Sequence, residues 1–419
     1  MKLASIAVAR NSARKGIINS TGYKSPLLLH PKYLNRDARS ECALRRPTKN
    51  WSISRSAPRR GAAWLTPGRG ALRRLPGLKA TIPLHPEGAQ RRTQEIPFTS
   101  KYIPHPHVNI NMTETLSIII PTYNYDCSSL ILGLCSQGEA LECADQNFSF
   151  DIVVADDGSS EKELAHRVEQ AVSQCADHCR LISMGRNSGR TATCNRLFEE
   201  ARGQWLLLID DDATLRSDTF LADYWTNRHK ADVVCGGLVN PPGIKPGCEL
   251  RHCYEHHAEQ RRTVAWRTAH PFEVFSTFNV MFRSDIIKNI GFDRRCQEYG
   301  YEDILLGINL SAAGATILHI YNPMLHEGID TNASFLAKTE ASMRTLYRLT
   351  GPMQRSAGAS RMKRKLEHLH LASLFYLFFT IFRPLIRRNL LSRHPSLFLF
   401  NVYKTGYYMR VCKHEERGR

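Results

Sequence analysis

Between Leu116 and His319 short apolar runs alternate with amphipathic stretches, and each run closes in a polar turn. That alternation predicts strand-helix-strand units around a parallel sheet. The expected strands are Leu116–Ile120, Asp151–Ala155, Cys179–Ser183, Trp205–Ile209, Val233–Cys235 and Thr316–His319, with helices over Glu161–Ala176 and Thr191–Ala201. The turns begin at Pro121, Asp156, Gly185 and Asp210. In an open parallel sheet ligands bind beyond the carboxyl ends of the strands, so chemistry is expected at those turns.

Charge divides the chain into three. Residues 1–111 carry 21 Lys+Arg against 4 Asp+Glu, residues 112–351 carry 22 against 32, and residues 352–419 carry 14 against 3. The patterned middle is therefore acidic and the basicity belongs to the ends, which argues against a nucleic-acid partner. Residues 1–111 lack helical or strand periodicity and contain breakers such as Pro67-Gly68, so they are expected to be a disordered tail. Their opening resembles a transit peptide, and Met112 is the preferred alternative start. A catalytic domain is expected over 112–335 and a basic helical extension over 336–419.

The 12 cysteines are scattered without a C-x-x-C pair, which fits a reducing, cytoplasmic compartment. Cys248, His252, Cys253, His256 and His257 do not have zinc-site spacing and read as helix surface and core. The longest apolar run, Leu371–Phe382, is expected to stop at Arg383-Pro384, too short to span a bilayer. It is apolar nearly all round and basic residues flank it, which suits peripheral contact with the cytoplasmic face of a membrane.

Candidate chemistry lies in Asp156-Asp157-Gly158-Ser159, Asp210-Asp211-Asp212, Glu302-Asp303 and His326. Three adjacent aspartates at a strand end repel one another unless a cation offsets them. Oxygen ligands of this kind suit Mg²⁺ or Mn²⁺, which completes its shell with water and phosphate. Helix capping and an ordinary Asp-Gly turn are the competing readings.

The segments LSIIIPTYNYD, IVVADDGSS, GRNSGRTATCN, ARGQWLLLIDDD and IGFDRRCQEYGYEDILLGINLSAAG resemble, in order and spacing, the motifs of inverting family 2 glycosyltransferases. That resemblance implies an α/β GT-A fold, a mixed, mainly parallel sheet flanked by helices, with a helical C-terminal extension. It implies transfer of a sugar from a nucleoside diphosphate donor, a UDP-sugar foremost, to a glycan or lipid-linked acceptor of cell-surface polysaccharide synthesis, with Mn²⁺ or Mg²⁺. Pro121, Tyr123 and Asn124 match the first donor loop, Asp157 the nucleobase contact with Asp156 beside it, and Asp210 to Asp212 the D-x-D region. Asp211 falls at the ribose contact and Asp212 at the metal ligand, while His326 resembles the histidine that completes the metal site in some members. Asp303 is expected as general base with Glu302 positioning it or the acceptor, the reverse assignment remaining open. The chain has Thr193-Cys194-Asn195 where the family often has Ala-Arg-Asn, so Arg190 is expected to face donor or phosphate. Gly236-Gly237 resembles the turn after the next strand and Phe278-Asn279 an acceptor-side loop; Trp266 is a possible sugar platform or an ordinary buried aromatic.

Two other classes remain as alternatives. A sugar nucleotidyltransferase would carry a Gly-rich loop after the first strand, where this chain has Pro121-Thr122-Tyr123-Asn124. A non-catalytic nucleic-acid binder would need aromatics among its arginines, and only Trp51 and Trp64 stand in the basic stretch.

Overall fold

The computed structural model describes residues 113–417 apart from 274, 297, 298 and 350. The expectations for the tail over 1–111 and for a start at Met112 lie outside the described residues.

From the amino end come β1 (Glu114–Thr122), α1 (Ser128–Ala144), β2 (Phe148–Asp156), α2 (Lys162–Gln174), β3 (Cys179–Ser183), α3 (Arg190–Glu200), β4 (Trp205–Ile209), β5 (Ala213–Thr214) and α4 (Phe220–Asn227). Next are β6 (Val233–Cys235), β7 (Leu238–Val239), α5 (Glu249–Ala258), α6 (Val264–Ala269), β8 (Asn279–Arg283), α7 (Ser284–Ile290), α8 (Glu302–Ala312), β9 (Ile317–His319) and β10 (Met324–His326). Then follow α9 (Asn332–Arg348), α10 (Pro352–Ser356), α11 (Gly358–His368), α12 (Ala372–Leu390) and α13 (Leu397–Arg417).

The main sheet runs β3-β2-β1-β4-β8-β6-β9. β1 lies parallel to both β2 and β4, and its Leu116, Ile118, Ile119 and Ile120 are at zero exposure. Alternate residues feed two cores: Ile118 and Ile120 pack with α1 and α2 residues on one face, Ile119 with α3 and α7 residues on the other. Burial on both faces explains why these strands read as unbroken apolar runs.

The sheet is mixed, as the resemblance implied, through one strand that the periodicity did not reveal. β8 inserts antiparallel between β4 and β6, making the sheet mixed. Phe278-Asn279, expected in a loop, is divided at this point: Asn279 opens β8 and is buried. Its Oδ1 accepts from Tyr224 Oη at 2.9 Å and its Nδ2 donates to Gly237 O at 2.8 Å, tying β8 to the turn between β6 and β7. A second, small sheet of β5-β10-β7 stands beyond the carboxyl end of β4.

The expected boundary at 335/336 falls inside α9, whose Phe335 and Leu336 pack with α12 and α13 residues. The apolar run ends at Arg383-Pro384 as expected, but the helix that carries it continues through the proline to Leu390. Phe379, Ile386 and Leu390 anchor it in one cluster with Phe400 and Tyr403, and that packing outweighs the missing N–H. The face of this helix opposite that cluster is exposed. Among the described residues no helix is long and apolar enough to cross a membrane.

Candidate active site

β4 delivers Asp210, Asp211 and Asp212 to the rim of the sheet, where Asp210 N donates to Phe278 O at 3.0 Å. The small sheet then supplies the histidine. β10 pairs antiparallel with β5, setting His326 opposite Ala213, and His326 Nε2 stands 3.1 Å from Asp212 Oδ2. Gly328 backs the same carboxylate so closely that a Cβ there would collide with it.

α8 supplies the other acids. Gly300 and Tyr301 adopt φ of 107° and 72°, and this left-handed entry places Glu302 and Asp303 in the first turn. A tyrosine in that region is strained, as backbone at functional sites often is. Asp303 is gripped by Thr277, whose Oγ1 donates to Oδ1 at 2.5 Å and whose N donates to Oδ2 at 3.1 Å.

Arg190, at the start of α3, joins the two acid groups. Its Nε donates to Asp210 Oδ1 at 3.2 Å, its Nη2 reaches the same oxygen and also Thr277 Oγ1 at 3.0 Å, and its Nη1 lies 3.7 Å from Asp303 Oδ1. Burial works against that positive charge, but Asp210, with smaller contributions from Asp303 and Glu302, outweighs it and holds the guanidinium well above its ordinary value.

The carboxylates are crowded. Burial, with repulsion from Asp212 added, pushes Asp210 up to about 7 against the pull of Arg190. Burial and Asp212 likewise push Asp211 to about 6, while Tyr123 N donates to its Oδ2 at 3.2 Å. Glu302 is raised by burial and then by Asp303. Burial would raise Asp212 as well, yet the contact with His326 and its charge keep that carboxyl below the ordinary range.

The residues fit a small divalent cation. Two donors 3.1 Å apart match neighbouring ligands of an ion with bonds of about 2.1 Å, and a carboxylate with an imidazole is a donor set Mn²⁺ accepts. Among the described residues no three His, Cys, Asp or Glu converge as a ligand group, so phosphate and water would complete the shell.

Ten of the residues picked out in the sequence line one cleft of about 610 Å³: Pro121, Tyr123, Asp157, Arg190, Asp210, Asp211, Asp212, Glu302, Asp303 and His326. Asp157 reaches it as an organiser, its two oxygens accepting from Ser188 N at 2.7 Å and Gly189 N at 2.9 Å. Asn124 and Asp156 stand outside it. Asn124 Oδ1 accepts from Ser160 N and Glu161 N, which holds the turns after β1 and β2 together, while Asp156 accepts from Ser159 N and Oγ within the second of those turns. Trp266 stacks on His270 with ring centroids 4.0 Å apart and does not line the cleft.

Sequence reading missed Thr277 and Lys338. Lys338 lines the cleft and pairs with Asp330 at 2.8 Å. Neither sits in a motif; Thr277 gains its place only once β8 is threaded beside α8.

Residues 117–291 match the family described as Glycosyl transferase family 2, a span of less than half the 419 residues. No curated protein matches the chain. Among solved structures, a mannosyltransferase of Pyrobaculum calidifontis in complex with GDP-Man and Mn²⁺ is 13% identical, with 72% of this chain and 87% of that one covered at a TM-score of 0.44. Residues 1–349 of S. aureus TarS, in complex with UDP-GlcNAc, are 15% identical over 73% of this chain and 92% of that one, at 0.38. Glucosyl-3-phosphoglycerate synthase from Mycobacterium tuberculosis, with Mn²⁺, UDP and glucosyl-3-phosphoglycerate, is 14% identical over 56% and 80%, at 0.38. These likenesses are distant, and the assignment rests on the sequence match together with the mixed, mainly parallel sheet and its crossing helices. Residues 117–291 match glycosyl transferase family 2, and the sheet they build most of is mixed, mainly parallel and flanked by helices.

Proposed function

We propose that this chain is a metal-dependent inverting glycosyltransferase that moves a sugar from a nucleoside diphosphate donor to an acceptor hydroxyl. The observation that carries the reading is Arg190 bridging Asp210 and Asp303, which puts the D-x-D aspartates and a second carboxylate pair in one cleft.

Pro121, Tyr123 and Asp211 take the nucleoside end, and Asp157 sets the loop at 188–189 against it. Asp303 accepts the acceptor's proton as its oxygen bonds to the anomeric carbon and the bond to the diphosphate oxygen breaks. One displacement inverts that carbon and leaves no sugar on the enzyme. Thr277 fixes the carboxylate of Asp303 for this task, and the Arg190 guanidinium stands 3.7 Å from it. A bound Mn²⁺ or Mg²⁺, held by Asp212 and His326, would supply positive charge to the departing diphosphate. UDP-sugars are the first donors to try.

The acceptor is proposed to be lipid-linked or a growing surface glycan, met at a membrane's cytoplasmic face. What supports this is α12, where Leu374, Leu377, Phe378, Ile381, Phe382 and Leu385 are each 41–64% exposed along one helical stripe opposite Phe379, Ile386 and Leu390. Exposed Arg361, Arg364 and Lys365 on α11 and Arg387 and Arg388 on α12 flank it, as an anionic lipid surface requires. Flotation with phosphatidylcholine/phosphatidylglycerol vesicles tests it: the full chain should float, and Leu377→Ser/Ile381→Ser should stay at the bottom. Equal flotation of the two would reject the membrane face.

Transfer itself is tested by nucleoside diphosphate release from a panel of UDP-, GDP- and dTDP-sugars with Mn²⁺ or Mg²⁺. Metal-dependent release from one donor is expected; failure of every donor to bind would overturn the reading.

A further inference from the structure

Glu302, Asp303 and Phe278 line a second cavity of about 550 Å³ as well as the donor cleft. Its wall from α5, the segment after it and α13 holds cations that its own acids do not balance. Arg251 Nη2 lies 2.8 Å from Glu255 Oε1, and Arg262 Nη2 meets Glu255 Oε2. One carboxylate thus serves two guanidinium groups, and Arg251 Nε and Arg262 Nη1 are buried without a hydrogen-bond partner. Burial, ahead of repulsion from Arg251, lowers Arg262 to about 10. Lys404 adds a third charge from α13, its Nζ 4.7 Å from the Phe400 ring centroid and 5.3 Å from that of Tyr254. Burial pushes that ammonium down to about 8.

Buried charge in excess is unfavourable until an opposite charge reaches it. Paired guanidinium forks bind phosphate oxygens with two parallel hydrogen bonds each, which a lone ammonium cannot do. We propose that this cavity is a subsite for a phosphate group on the acceptor, gripped by Arg251, Arg262 and Lys404, from which the accepting hydroxyl reaches Asp303. The proposal rests on Asp303 marking the acceptor side of a glycosyltransferase site. The rings of Tyr254, Phe335 and Phe400 give the cavity apolar wall for the carbon skeleton beyond the phosphate. The phosphate is carried either by a lipid or by a soluble acceptor.

Calorimetry on the full chain, without metal or donor, distinguishes the carriers using glycerol 1-phosphate and dihexanoyl phosphatidic acid below its micellar concentration. At least one probe should bind, and Arg262→Gln and Lys404→Met should each weaken it about tenfold or more, while Asp212→Asn leaves it unchanged. Tighter binding of the soluble probe assigns a free phosphate acceptor; tighter binding of the other assigns a lipid carrier. Methionine fits against the same two rings as Lys404, so that variant keeps the test readable if Arg262→Gln does not fold. Absence of binding by both probes, or binding that Lys404→Met leaves intact, overturns the subsite. So does loss in Asp212→Asn alone, which would put the phosphate in the donor cleft. Turnover is not needed, so phosphate binding here by a chain that accepts no donor would sink the proposed transfer and leave the subsite standing.

Discussion

Asp212 and His326 are 114 residues apart in sequence and 3.1 Å apart in space, joined by a strand pair of two residues on each side. If that pair holds the cation, Asp212→Asn should abolish metal-stimulated release of nucleoside diphosphate. His326→Gln should raise the metal concentration for half-maximal activity about ten- to hundredfold while the melting temperature stays near wild type. A metal titration of the two purified variants checks both.

Gly328 tests the same centre from behind. The Cβ of alanine there would run into the Asp212 carboxylate and side chain. Gly328→Ala should therefore weaken metal activation about tenfold or more by turning Asp212 aside. Unchanged metal dependence would mean that the carboxylate has room to move.

Thr277 has zero exposure and hydrogen-bonds both Asp303 and Arg190. Thr277→Val keeps the shape and removes the hydroxyl. The expected result is a fall in kcat of about ten- to hundredfold with little change in donor KM, since the carboxylate of Asp303 loses the hydrogen bond that orients it.

His319 gives a pH signature away from the cleft. Burial, then the Arg267 charge, lowers its imidazole to about 4, with Nδ1 3.0 Å from Arg267 Nη1. Between about pH 6.5 and 4 the unfolded chain binds a proton that the folded chain refuses, so stability falls as pH drops through that window. His319→Gln should flatten the dependence by up to about 3 kcal/mol, read from denaturant melts at pH 7 and pH 4.5.

The strands over Cys179–Ser183, Trp205–Ile209 and Val233–Cys235 have their expected bounds because each is a short apolar run closed by a polar turn. β8 was not legible: periodicity gives a strand's faces but not its neighbours, and an antiparallel insertion leaves no mark on a five-residue run. β5, β7 and β10 are two or three residues long, below what any period can reveal, although they set His326 beside Asp212. Asp157 and Asp210 to Asp212 were legible as clusters after apolar runs and Glu302-Asp303 through the family resemblance, whereas Thr277 was not, because its role exists only through β8 and α8 meeting. The course of α12 through Pro384 follows from its packing with α13, a long-range cause that a local breaker signal does not contain.

Nucleoside diphosphate release by wild type and Asp303→Asn, with donor binding measured in parallel, tests the central claim most directly. The account predicts unchanged donor binding and a rate at least about a hundredfold lower in the variant. Turnover by Asp303→Asn near the wild-type rate would contradict it.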